Sequence, residues 1–470
     1  MSKVLLIKPR FFSLDFQAIT HPMGIMYIAA ALKIAGHEPK IHDCALDYKN
    51  LKILRRIIKD WEPDFIGISI IITELEQTKK IMGIIRDILP IVPVVFGGPW
   101  PSANPEASIK EFGADFVVIG EGEKVFPQII EAVNKGRSIQ SISGTASMVR
   151  GNIKINEGQY ITSDELDELS FPAWDLIDHG LYARMSSFSD VGFRPYLSVV
   201  TSRGCPYKCA YCHQTMGKHF RKRSAESVLA EMEELRFRYG IKEFEIIDDC
   251  FNYDRKRMYA ILTGIQERIG DVKLHFPNGL RTDMLEPEDM LVFKQAGTVS
   301  ACFSIETSSP RLQKMIHKNL DIEKATRVIN ASVENGIYST GYFMIGFPTE
   351  SYEEACGTVD YAVRSSLHKA AFMFVTPLEG SELAGMVEHI LDKRKSFVKP
   401  RNLTYTTNTL NISAMSDNDL QRIFRSAYRR FYLNPIRLVS LVVHHPRILS
   451  LPWYAFVILV RILPGRTSTV

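Results

Sequence analysis

Two stretches of this chain repeat one pattern. A short, fully apolar run closed by Gly, Pro or Asp is followed by a longer segment with apolar residues every three or four positions. In the first 135 residues the runs are KVLLIKP, EPKIHD, DFIGISI, VPVVFGG and DFVVIG. Between them GIMYIAAALKIAG (24–36) places Ile25, Ile28, Ala29 and Leu32 on one helical face, with Gly36 as the stop. Apolar strands alternating with amphipathic helices predict a parallel sheet covered on both faces.

Five such units predict a flavodoxin-like, doubly wound α/β domain over residues 1–140. Its ligands belong beyond the carboxyl ends of the strands, in loops 10–24, 69–74, 97–105 and 120–123. Residues 141–195 break the alternation and read as a linker: ASMVRGNIKIN predicts a hairpin turning at Gly151–Asn152, and DELDELSFPAWDLID is acidic and punctuated by proline. From Tyr196 six more runs follow, YLSVVTS, FEIIDD, KLHFPNGL, SACFSIE, STGYFMIG and AAFMFVTP. Six β/α units are too few to close an eight-stranded barrel, so residues 196–380 predict an open (β/α)6 barrel with its chemistry at the carboxyl strand ends. Ser224 caps a predicted helix over 224–238. After about residue 380 a small, mostly helical extension (381–470) is expected, with an amphipathic helix over 416–432.

With 46% apolar and 23% charged residues the chain has material for two or three cores and is not a disordered one. A net charge of +4 over 470 residues gives no reason to expect nucleic acid. The opening MSKVLLIKPR is too short for a leader and reads as a strand. The last apolar stretch without charge, Ile448–Val460, has 13 residues and contains Pro452, whereas a spanning helix needs about 20. Segment 434–466 mixes apolar runs with Arg437, Arg447, Arg461, Arg466, Trp453 and Tyr454. It reads either as a membrane-interfacial segment or as a buried cap or oligomer contact.

The chemistry enters with cysteine. Of seven cysteines, Cys205, Cys209 and Cys212 fall within eight positions of RGCPYKCAYCHQ, directly after the first strand of the barrel. The other four, Cys44, Cys250, Cys302 and Cys356, show no pairing pattern, and Cys302 reads as a core residue. Few, unpaired thiols predict a reducing compartment, the cytoplasm. A structural zinc needs four closed ligands. His213 or His219 would be required as the fourth, and no second cysteine pair exists. Three thiolates suffice for a [4Fe–4S] cluster that keeps one iron open to another ligand.

CPYKCAYC resembles the signature of the radical S-adenosylmethionine (SAM) superfamily, C-x3-C-x-Φ-C, with Tyr211 as the aromatic residue. FEIIDDCF, FSIETSS, GYFMIGFP and VTPLEGSEL resemble, in order, the later strand motifs of that family. HPMGIMYIAAALKIAGHEPKIHDC, GGPWPSANPE and DFVVIGEGE resemble the cobalamin-binding domain that precedes the radical core in one large subfamily, so the resemblance covers nearly all of residues 1–380. It implies cluster ligation by Cys205, Cys209 and Cys212. SAM contacts are implied around Tyr211, His213 (through its backbone), Glu306 and Gly346. Arg223, in the basic run 221–223, either pairs with the SAM carboxylate or belongs to a solvated helix start. Cobalamin contacts are implied at Thr20, Pro22, Gly24, Ser69, Thr73, Gly97, Gly98, Glu121 and Gly122. Two features depart from the subfamily: the chain has no D-x-H-x-x-G, and Trp100 stands where histidine is common. Cobalamin is therefore expected without a histidine on cobalt.

The implied reaction is methylation of an unactivated carbon, by way of methylcobalamin and a 5′-deoxyadenosyl radical. An unactivated C–H has no acidic proton, so acid–base groups alone cannot break it, and the cofactors carry that step. Asp249, beside Asp248, would bind a polar substrate group or accept a proton, or is an ordinary strand-end carboxylate. Arg281 would touch SAM or substrate, or is an ordinary ion pair. The expected partners are a small-molecule substrate, apolar or lipid if the tail meets a membrane, and an electron donor such as flavodoxin or ferredoxin. Rival readings are a radical cyclase or oxidative rearrangement enzyme with the same cofactors, and a non-catalytic cobalamin sensor.

Overall fold

The computed structural model describes residues 1–10, 19–47, 51–158, 160–189, 191, 194–212, 216–378, 380–388 and 410–462. It folds as two units: the first holds residues 1–10, 20–182 and 216–217 of those described, the second residue 19 and those from Ala183 onward other than 216–217.

The first unit is built on one sheet of β1 (Lys3–Lys8), β2 (Glu38–Asp43), β3 (Phe65–Ser69), β4 (Val94–Gly97), β5 (Phe116–Val118), β6 (Thr145–Val149) and β7 (Asn152–Ile155). The order is β2-β1-β3-β4-β5-β6-β7, and the first five strands are parallel. This is the flavodoxin-like 2-1-3-4-5 order, with its switch point between β1 and β3. Successive residues of β1 serve opposite cores. Leu5 and Ile7 pack with Ile66, Phe96 and Ile81 on one face, and Val4 and Leu6 pack with Ile25, Val95 and Phe126 on the other. A strand buried on both faces has to be apolar throughout, which is why these runs lack the alternation of a half-exposed strand.

The segment read as a linker is largely part of this unit. The hairpin β6–β7 adds antiparallel to β5 and extends the sheet. Its turn lies at Arg150–Gly151, not Gly151–Asn152. Both turn residues have positive φ (49° and 85°), as a two-residue I′-type turn requires. The acidic connection that follows stays docked because it contributes apolar residues: Ala173 joins the core beside Ile25 and Ala29, and the Tyr182 hydroxyl donates to Asp43 at 2.7 Å.

In the second unit β8 (Leu197–Val199), β11 (Glu243–Ile246), β12 (Lys273–Leu280), β13 (Thr298–Glu306), β14 (Tyr338–Ile345) and β15 (Lys369–Phe374) lie side by side in chain order, all parallel. This is the expected open six-stranded barrel. Two further short strands, β9 (Ser202–Arg203) and β10 (Arg221–Lys222), pair with each other. The end of the former linker enters this unit as well, where the fully buried guanidinium of Arg194 meets Glu245 at 2.7 Å. Ser224 caps a helix over Ala225–Phe237, as expected.

The open edge of the barrel, β15, is covered by the helix Asp417–Tyr432, which Ser416 caps. The Tyr432 hydroxyl donates to the Ala370 carbonyl at 2.7 Å and accepts from the Ala370 amide at 3.1 Å. Four residues earlier, one turn along the helix, the Tyr428 hydroxyl does the same at Phe372, at 3.1 and 3.3 Å. Among the described residues no helix is long and apolar enough to cross a membrane.

Candidate active site

The cysteine loop leaves the end of β8 and is clamped at its base by the β9–β10 ladder, where Arg203 pairs with Arg221 and Ser202 with Lys222. Arg221 and Lys222 thus form a strand, and the run 221–223 is not a solvated helix start. Arg221 and Arg223 are buried, and only Lys222 is exposed. Asp248, at the end of β11, ties the stem down by accepting from the Thr201 amide (2.6 Å), the Thr201 hydroxyl and the Ser202 hydroxyl. Midway along, the Ala210 amide donates to Ile316 O at 2.9 Å and the Leu383 amide donates to Ala210 O at 2.8 Å.

Cys205, Cys209 and Cys212 are all half-buried on this loop. A hydrogen bond with Cys250 draws the Cys205 thiol down to about 7, and burial pushes the Cys212 thiol up to about 12 and that of Cys209 upward. Among the described residues no three His, Cys, Asp or Glu side chains converge on a single ion. A zinc at 2.3 Å from each sulfur would need its ligands within about 4 Å of one another. A cluster ties each thiolate to a different iron, so its thiols stand farther apart. Three free thiols on one loop are the donors that a [4Fe–4S] cluster with one open iron takes. His213 lies outside the described residues, and His219 is exposed.

Around the loop the barrel supplies charge from the strand ends. Arg281, after β12, lies with its guanidinium carbon 3.7 Å from the ring centroid of Tyr207, between the first two cysteines. It is held there by Asp283 at 2.8 and 3.0 Å and by the Lys318 carbonyl at 2.6 Å. Asp249 is exposed, and its charge bears on Cys205 and Cys212. Arg223 faces inward: it pairs with buried Glu231 and donates to Val200 O and to Ser227. These contacts give it a structural role and leave no reason to place it on the SAM carboxylate.

Glu306 ends β13 at a bulge, with φ +66°, a left-handed conformation unusual for a residue with a side chain. Its Oε1 accepts from the Lys318 ammonium at 2.8 Å and from the Tyr211 hydroxyl at 3.0 Å. Tyr211, the aromatic residue of the cysteine signature, thus joins the loop to the strand that carries Glu306. Lys318 is buried and flanked by His317 and Asn319, both at positive φ. After β14, Gly346 (φ +103°) and Phe347 donate their amides to Oε2 of the fully buried Glu350, at 2.5 and 2.9 Å. Burial pushes the Glu350 carboxyl up to about 7. The sequence reading missed Lys318, Glu350, Tyr207 and Cys250. Of these only Lys318 carries a local signal, the αL-prone Asn319 beside it.

In the first unit the loops after β3 and β4 are held tightly. Gly98 (φ +94°) follows β4, and a Cβ there would stand 3.0 Å from the Ile70 backbone and from Ser69 Oγ, so two of the candidate cobalamin loops meet at a contact only glycine permits. The Ile70 amide donates to Gly97 O, and the Trp100 amide donates to Ile70 O. Gly122 sits against Ile28, and Glu121 is buried, accepting from the Ile161 amide at 2.7 Å. Thr20 and Pro22 lead into the helix Met23–Ile34, Gly24 lies in its first turn, and a Cβ there would meet open space. Thr73 Oγ1 is buried with no partner among the described residues, as suits a hydroxyl placed for a polar ligand. Trp100 packs in the apolar core against Phe112 (ring centroids 5.0 Å apart), so this position gives cobalt no ligand. His21 is enclosed by Tyr182 and Trp174, and burial lowers it to about 3.

A flavodoxin-like domain followed by an open parallel barrel with three thiols on its first loop defines an iron–sulfur α/β enzyme. Residues 10–130 match the B12 binding domain, and residues 199–362 match the radical SAM superfamily. The chain is a radical SAM enzyme with an N-terminal B12-binding domain, and its cofactors are cobalamin, a [4Fe–4S] cluster and SAM. It is 29% identical to an uncharacterised methyltransferase of Pyrococcus horikoshii over 90% of each chain. It is 28% identical to the cytidylyl-2-hydroxyethylphosphonate methyltransferase of Streptomyces wedmorensis, over 89% of this chain and 87% of that one. The anaerobic magnesium-protoporphyrin IX monomethyl ester cyclase of Rubrivivax gelatinosus is 24% identical, over 92% and 78%. In fold the chain is similar to the radical SAM methyltransferase TsrM from Kitasatospora setae (TM-score 0.69, 19% identity, 87% of this chain and 78% of that one). It is also similar to the cobalamin-dependent radical SAM enzyme OxsB (TM-score 0.73, 15% identity, 94% and 70%).

Proposed function

We propose that this enzyme transfers a methyl group to an unactivated carbon of a small molecule. The observation that carries the reading is the pairing of the two domains with the loop that bears Cys205, Cys209 and Cys212, in a chain similar along nine-tenths of its length to two proteins named methyltransferases. When bound, the cluster with SAM supplies the radical that removes hydrogen, and cobalamin supplies the methyl group.

The chain's own residues bind, orient and exclude. Cys205, Cys209 and Cys212 hold the cluster. Glu306, oriented by Lys318 and Tyr211, contacts SAM. The backbone around Gly346, pinned by Glu350, lies along the same cofactor. Arg281 fixes Tyr207 and with it the first half of the loop, while Asp249, exposed and near the thiols, meets a polar group of the substrate. In the first unit Ser69, Thr73, Gly97, Gly98, Glu121 and Gly122 line the cobalamin side, and Trp100 in the core leaves the metal without a histidine from that position. The electron that starts each turnover comes from a flavodoxin- or ferredoxin-class donor.

The R. gelatinosus relative favours a second reading, ring closure with the same cofactors. One experiment separates the two. The chain is purified without oxygen, reconstituted with iron, sulfide and cobalamin, and supplied with reductant and SAM carrying a CD3 group. Extracts of cells that lack the gene serve as the substrate pool. 5′-Deoxyadenosine that vanishes in the Cys205/Cys209/Cys212→Ala variant, with a product bearing intact CD3, supports methyl transfer. The same 5′-deoxyadenosine with an unlabelled, dehydrogenated product would replace it with cyclisation. A cobalamin spectrum with nitrogen below the cobalt would refute the assignment made from Trp100.

A further inference from the structure

The C-terminal extension carries an apolar surface that no described residue covers. The helix Pro435–His444 exposes Ile436, Val439 and Val443 along one stripe, with Ile436 82% exposed, while Leu441 and Arg437 turn inward. The short turn after it leaves Leu449 96% exposed, and the helix Leu451–Ile462 exposes Trp453 and Phe456 one turn apart. Monomeric proteins scatter such residues singly; a contiguous concentration marks a contact surface.

The inner faces show that the segment is docked rather than unravelled. The Arg437 guanidinium donates to the carbonyls of Val363 (3.0 Å), Ser365 (2.7 Å) and Leu367. Arg447 pairs with Glu243 at 2.5 Å, and the His445 ring meets that of Tyr338 edge-on at 5.2 Å. The inner polar contacts are therefore satisfied, and what faces outward is mostly apolar.

We propose that this surface seats the enzyme on an anionic lipid membrane. Three observations select a lipid surface. From Asn434 onward the sequence has four arginines and no Asp or Glu; Arg447 meets a carboxylate, Glu243, and Arg437 faces inward onto carbonyls, so the segment as a whole carries a net positive charge complementary to anionic headgroups. The same charge opposes a second copy, because two-fold pairing would bring like charges together. The helices, of 10 and 12 residues, are about 15 and 18 Å long at about 1.5 Å per residue, too short for a hydrocarbon core of about 30 Å, so they lie in the interface plane. Trp453 beside Phe456, with ring centroids 5.9 Å apart, supplies the aromatic pair favoured at that depth. The inference does not depend on methyl transfer: it fails or stands on vesicle binding, whatever product the enzyme makes.

The full chain is floated with vesicles of phosphatidylcholine alone or mixed with phosphatidylglycerol. Wild type is expected to float with the anionic vesicles, to be released by high salt and to bind neutral vesicles at least tenfold less. The exposed-stripe variant Ile436→Ser/Val439→Ser/Val443→Ser should bind at least tenfold more weakly, with an unchanged unfolding midpoint. As a second measurement, brominated lipid should quench tryptophan emission in wild type but not in Trp453→Phe. Wild type remaining at the bottom of the gradient, binding that ignores the anionic lipid, or quenching unchanged by Trp453→Phe would each overturn the proposal. A concentration-dependent dimer abolished by the stripe variant, with no flotation of wild type, would assign the surface to a second copy instead.

Discussion

Glu306 accepts a 2.8 Å hydrogen bond from the ammonium of Lys318, and both side chains are buried at the carboxyl end of the fourth barrel strand. Neither charge can be removed alone without stranding the other. Lys318→Met should therefore lower stability by about 3 kcal/mol, the cost of an uncompensated buried charge. It should also weaken SAM binding, because the carboxylate loses the partner that aims it. Glu306→Gln in the same chain should restore most of the stability and none of the SAM affinity. Denaturant unfolding and SAM titration of the two single variants and the double variant close the cycle. Additive stabilities would show that the pair does not act as a unit.

Glu350 makes stability depend on pH in an unusual direction. Its carboxyl is raised from 4.5 to about 7 by burial, so the folded state holds a proton that the unfolded chain has already lost. That contribution is complete below pH 4.5 and disappears as the pH rises through about 7, so stability falls across this window. The shift corresponds to on the order of 3 kcal/mol. Glu350→Gln keeps an oxygen for the Gly346 and Phe347 amides and should flatten the slope. Unfolding midpoints of both proteins measured between pH 4.5 and 8 test it; a parallel decline in the two would assign the effect to another group.

How far the sequence disclosed these features follows from what each residue type advertises. Strands buried on both faces have to be apolar, so the parallel strands could be counted and placed along the chain directly. The cysteine spacing is a metal pattern because thiolate ligands have few substitutes. The hairpin is where it was expected, but its turn lies one residue earlier because Arg150 adopts positive φ, which its side chain does not announce. The acidic connection looked like a linker because its anchors, Ala173 and Tyr182, are single residues in a polar stretch. Lys318 and Glu350 look like solvated turn residues, and only tertiary burial turns them into parts of the site. Arg223 shows the reverse case: a basic residue beside the cluster loop whose charge is spent on Glu231 within the fold.

The stack of Arg281 on Tyr207 positions the cysteine loop. Lysine at this place would keep the charge but lose the planar fork that grips Asp283 and lies over the ring. Arg281→Lys should cost about 1–2 kcal/mol of loop stability. The chain should still accept a cluster, with Cys205, Cys209 and Cys212 intact, but lose it severalfold faster in air. Iron and sulfide content followed after exposure to oxygen measures this. Retention equal to wild type would reduce the contact to an ordinary surface pair.

Tyr428 and Tyr432 replace a missing neighbouring strand. Each hydroxyl both donates to and accepts from one residue of β15, so the amides and carbonyls of Ala370 and Phe372 are satisfied without a seventh strand. Phenylalanine would keep the rings packed and strand those four groups in a buried place, at about 1–3 kcal/mol for each unsatisfied group. Tyr428→Phe/Tyr432→Phe should lower the unfolding midpoint by several degrees. An unpaired edge also invites another strand, so the double variant should associate with itself at concentrations where wild type does not. Unfolding curves and light scattering over a concentration series check both outcomes. A variant that is destabilised but does not associate would mean that the helix covers the edge sterically without its hydroxyls.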